Sequence, residues 1–148
     1  MLAFVGAILL FSDADAALLT DSAFNFGTLA ITDNTNVSSM QILRSGKTTT
    51  AGDIYILQIG QPGVYTLTEL PPFAIVSISA ELPAYSSSQI VGTQQLTISA
   101  VDMAENLRVN ENGTVQFKVG GVLQTSGAGG TYIGPATYQI RLNISITY

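Results

Sequence analysis

The chain reads as all-β, an immunoglobulin-like antiparallel β-sandwich with an N-terminal extension strand. Three observations predict it. Apolar and polar residues alternate without a break from Tyr138 to Tyr148. Short runs rich in Ile, Val, Leu, Thr and Tyr recur between Gly, Pro and Asn punctuation. No window carries the stripe of an amphipathic helix.

Residues 1–16 form a segment of their own and residues 17–148 a single domain. The segment from Leu2 to Phe11 is apolar whichever face a strand presents, so it must be buried on both. Strands are expected over Phe24 to Ile31, Ser38 to Leu43, Ile54 to Ile59, Val64 to Leu70, Ala74 to Ala80, Gln94 to Val101, Thr114 to Val119 and Thr137 to Tyr148. Phe24 and Phe26 share a face with Leu29 and Ile31 only if the phase shifts, which places a bulge at Gly27. Asn112-Gly113 reads as a hairpin turn, and Gly120-Gly121 and Gly127 to Gly130 as further turns. In the last strand the period of two assigns Tyr138, Ile140, Leu142, Ile144, Ile146 and Tyr148 to the core and Gln139, Arg141, Asn143, Ser145 and Thr147 to solvent.

Composition narrows the chemistry. The chain holds no Cys and no His, which removes disulfides, thiolates, the commonest general base and a common metal ligand. No enzyme activity, cofactor or metal is expected. Five Lys and Arg against ten Asp and Glu give a net charge of -5, so nucleic acid is not an expected partner. Charged residues make up only 10% of the chain, a surface suited to being covered by copies of itself.

The candidate sites are few. Asp102, Glu105 and Glu111 could offer oxygens to calcium but lack the spacing of a calcium loop. Asp13 and Asp15 read as a solubilised linker, and Glu69 and Glu81 as isolated carboxylates. Gly127 to Gly130 opens no helix and carries no Lys, so it is not a phosphate loop. Sequons at Asn36, Asn112 and Asn143 are possible glycosylation sites. Tyr55, Tyr65, Tyr85 and Tyr132 could stack on sugar rings or simply pack.

Several pieces in order resemble a family. Phe24-Asn25-Phe26-Gly27, Pro62-Gly63-Val64-Tyr65, Gly113-Thr114 before Phe117-Lys118-Val119-Gly120-Gly121-Val122-Leu123, and Gly130-Thr131-Tyr132-Ile133-Gly134 ahead of the last strand resemble the bacterial secreted domain-of-unknown-function family number 4402. The similarity runs from about Leu18 to Tyr148. It implies an exported, pilin-like or adhesin-like sandwich at the cell surface, without catalytic residues. Pro135 and the apolar segment ahead of the match depart from the family pattern.

The first segment also resembles the donor strand of polymerising pilins. In that reading Leu2, Phe4, Gly6, Ile8 and Leu10 fill a groove in a neighbouring subunit by strand addition. Burying four large side chains offers about 6–12 kcal/mol before entropic costs, comparable with the ~5–15 kcal/mol stability of a whole domain. Two other readings stand beside it. The segment could pair within its own chain, or be a secretory leader ending at Ala14-Asp15-Ala16, although no Lys or Arg precedes Arg44. Its apolar run is too short for a membrane helix, which needs about 20 residues. The expected function is a structural subunit of an extracellular, head-to-tail filament assembled from copies of itself. The alternative is a monomeric surface module for adhesion or carbohydrate binding.

Overall fold

The computed structural model of the chain describes residues 2–12 and 16–148, and in the first of these segments the burial of Ala3, Val5 and Gly6 alone. Asp13 and Asp15 lie outside the described residues, as does most of the possible leader cleavage site. Thirteen strands and no helix are found among the described residues. They are β1 (Leu2–Ser12), β2 (Ala17–Ser22), β3 (Asn25–Ile31), β4 (Ser39–Ile42), β5 (Thr48–Ala51), β6 (Ile54–Gln61), β7 (Gly63–Thr68), β8 (Ile75–Ala80), β9 (Ala84–Ser88), β10 (Thr97–Asp102), β11 (Asn106–Arg108), β12 (Val115–Gln124) and β13 (Ala136–Thr147).

All thirteen belong to one continuous sheet whose main path runs β2-β7-β12-β10-β9-β13-β1-β3-β6. The sheet curls over itself as a sandwich does, closing its inner face on a single core. β12 shows how. Val115 to Val119 pair with β7, while Gly121 to Gln124 lie between β10 and β4. Every pairing is antiparallel except β1 with β13.

The alternation of β13 appears directly as burial. Tyr138, Ile140, Leu142, Ile144 and Ile146 are buried, and Gln139, Arg141 and Asn143 between them are exposed. Tyr148 departs from the expectation. It follows the last paired residue and is 44% exposed, so it is not core. Gly27 shifts the phase of β3 as expected. It has φ +84°, Val5 pairs with Gly27 and Gly6 with Asn25, and the extra Phe26 lets Phe24, Phe26, Leu29 and Ile31 all face inward.

Two turn expectations need correcting. Gly120 and Gly121 lie inside β12, where glycine is required because a side chain on Gly120 would stand 2.3 Å from the Ile42 carbonyl oxygen. Asn112-Gly113 does turn, with Gly113 at φ +74°, yet it makes no hairpin: β11 pairs with β8 and β12 with β7. Four short strands were not expected: β2, β5, β9 and β11.

Candidate functional site

The strand built from the doubly apolar segment occupies the middle of the sheet. Its register with β13 is parallel and continuous, from Ala3 opposite Ala136 through Val5 opposite Tyr138 to Ser12 opposite Ser145. On its other edge Leu2 to Gly6 pair antiparallel with Ala30 to Asn25 of β3. β1 is therefore clamped from both sides over its first half and by β13 alone over its second. Without it, β13 and β3 would each present a row of unpaired backbone groups, and the core would open beside Tyr138.

Ala3 and Val5 of β1 are fully buried in the core. Of the expected groove-filling set, Leu2, Phe4, Gly6, Ile8 and Leu10, Gly6 is half-buried, and the side chains of the other four lie outside the described residues. A strand apolar in both registers has no alternation to select one, so the partner strands decide. Here Ala3 and Val5 pair with Ala136 and Tyr138 of the buried register of β13.

The walls of the slot are held by hydrogen bonds from buried tyrosines. The Tyr65 hydroxyl accepts the Phe24 backbone N–H at 3.1 Å, fixing the start of β3, and Tyr138 shares a 2.5 Å hydrogen bond with Thr93 Oγ1. Tyr132 donates to the Gln95 carbonyl at 2.7 Å and accepts from the Ser126 N–H at 2.9 Å. Burial pushes the hydroxyls of Tyr65 and Tyr132 above the ordinary tyrosine value. These two rings are buried and cannot stack on a sugar; Tyr55 and Tyr85, each more than half exposed, can.

The carboxylates do not converge. Among the described residues no three acidic side chains come within reach of one metal ion. Asp102 accepts the Arg44 backbone N–H at 2.9 Å and forms an ion pair with its guanidinium at 3.5 Å. Glu81 accepts from the Asn143 amide at 3.0 Å. Asp33 is held below its ordinary value by hydrogen bonds from Thr35 and Asn34. Asn36, Asn112 and Asn143 are all exposed, as glycosylation would require.

One surface feature escaped the sequence reading. Pro71, Pro72, Phe73 and Ala74 make a tight turn closed by the Ala74 N–H on the Pro71 carbonyl at 3.2 Å. Pro at the second position is ordinary for a type II turn, but the third position needs positive φ and favours Gly. Here it is Phe73, at φ +62°. A left-handed conformation costs a non-glycine residue about 1–2 kcal/mol. Phe73 is nonetheless 58% exposed, with the Arg108 guanidinium 6.0 Å from its ring centre.

Comparison with protein-family models, curated proteins and solved structures finds no match to this chain.

Proposed function

We propose that the protein is a structural subunit of an extracellular filament in which β1 of one copy fills the slot between β13 and β3 of the next. The observation that carries this reading is the position of β1. It is a first strand inserted between two others, joined to β2 by residues 13–16, and it supplies part of the core. Exchanging it for the same strand of a second copy preserves every hydrogen bond and every buried contact, as in a domain swap. Passed from copy to copy in one direction, such a swap does not close, and a filament results. The low charge of the chain supports the same reading, and the cell surface is the proposed place of the filament.

The absence of cysteine makes the test direct. Ala3 and Ala136 are paired and both small, so Ala3→Cys and Ala136→Cys should bridge wherever β1 sits in its slot. When copies carrying one or the other substitution are mixed, a disulfide-linked heterodimer is expected, with fibres in negative-stain images. A chain carrying both that only ever links to itself, without fibres, would overturn the filament and leave the self-contained surface module.

A further inference from the structure

From the strained turn at Phe73 and the sheet face beside it, we infer a carbohydrate-binding platform on the outer surface of β11, β8 and β13. It is independent of the strand slot. The argument starts from a conflict. Gly would occupy the third position of the Pro71 turn without strain, and an exposed aromatic there gains little from the core. What Phe73 does gain is orientation. Arg108 stands over one face of the ring at the end of β11, and more than half of the residue remains exposed to solvent.

The register then lays out what lies beside that ring. Arg108 pairs with Ile75, Asn106 with Ser77, and Ser77 with Thr147 of β13. Val76 and Ile78 are buried, so Ile75, Ser77 and Ser79 share the opposite, exposed face of β8. Asn106, Arg108 and Thr147 are exposed with them. The Ser77 hydroxyl and the Asn106 carbonyl oxygen are already linked at 2.9 Å, which presents the Asn106 amide protons outward. From Ile75 to Ser79 the strand runs about 14 Å, long enough for several sugar rings.

An aromatic ring followed by a row of hydroxyl and amide groups is complementary to a sugar chain. The electron-rich face of the ring attracts the weakly positive C–H face of a pyranose, while hydroxyls and amides exchange hydrogen bonds with its O–H groups. A β-linked polysaccharide with equatorial hydroxyls presents such a C–H face and is the ligand class that fits.

The test uses the full-length chain on an array of neutral and acidic glycans, followed by calorimetric titration with the tightest-binding oligosaccharide. Binding should fall at least about tenfold in Phe73→Gly and roughly two- to tenfold in Asn106→Ala. The decisive readout is the stability of Phe73→Gly, which relieves the left-handed strain and should melt no lower than the parent while losing the ligand. A Phe73→Gly chain that melts several degrees lower would show that the ring is kept for packing and overturn the platform. So would unaltered binding in that variant, or an array on which the parent chain retains no glycan. None of these outcomes depends on fibres forming.

Discussion

β13 and β1 lie side by side, run in the same direction and share ten paired positions, yet their sequences are built on opposite plans. β13 alternates, so a slip of one residue would bring Gln139, Arg141 and Asn143 into the core and expel Tyr138, Ile140 and Leu142. β1 is apolar at consecutive positions from Leu2 to Phe11, and a slip exchanges one apolar set for another. One strand is written for a single place in a single chain. The other is written to be buried, with its place decided by whichever strands receive it, and that is the property required of an element passed between copies.

The sharpest way to break this comparison is Leu142→Asp. Leu142 is fully buried at the centre of β13, and the change removes about 1.5–3 kcal/mol of burial while placing an unpaired carboxylate in the core. Circular dichroism should show a chain that does not fold. Val5→Asp comes next. Val5 is equally buried and sits in the half of β1 that is paired on both edges, so an unpaired carboxylate there should drive β1 from its slot, strongly lowering the melting midpoint and abolishing fibre formation. If Val5→Asp polymerised like the parent, β1 would not be the assembly element.

A smaller effect tests the other wall of the slot. Tyr65→Phe leaves the buried Phe24 N–H without its acceptor and should cost about 1–3 kcal/mol in denaturant unfolding. The same hydroxyl sets an alkaline limit. Burial raises the folded-state values of Tyr65 and Tyr132 above 10.0, so above that pH the folded chain holds more protons than the unfolded one. The contribution of these hydroxyls to stability should be constant below about pH 10 and fall as pH rises beyond it. A melting midpoint that held or rose there would contradict the burial of these hydroxyls. The smallest effect belongs to the outward face of β13. Asn143→Asp removes the amide that donates to Glu81 and sets two carboxylates side by side, but both are exposed to water, so it should cost no more than about 1 kcal/mol. If it behaved like Leu142→Asp, the register of β13 would be wrong.

How much of this was readable follows from where each signal resides. The burial of β13 and the phase shift at Gly27 were legible because alternation, and its interruption, is local. The Ala84-Tyr85-Ser86-Ser87-Ser88 stretch of β9 was not. Its serines resemble a loop, and it is a strand because Ser86 to Ser88 pair with β13 while Ala84 and Tyr85 pair with β10. Gly120 was misread for a related reason. Glycine signals a turn in isolation, but here it admits the backbone of the segment after β4, a requirement that only the folded neighbour imposes. At the slot, the need to bury β1 was evident from composition, whereas its receiving strands were not. At Phe73 no signal was present, since nothing in Pro-Pro-Phe announces a conformation that favours glycine.

The placement of β13 gives the molecule an internal clock. Along one edge its backbone is bonded to β1, and along the other to β9 and β8. Successive amide protons of a strand point to opposite edges, so neighbouring residues of this one strand report different events. In a hydrogen-exchange experiment, protons directed at β1 are released each time that strand leaves its slot, while those directed at β9 and β8 wait for those strands to separate. The ratio of the two exchange rates within β13 therefore measures how often the slot stands open.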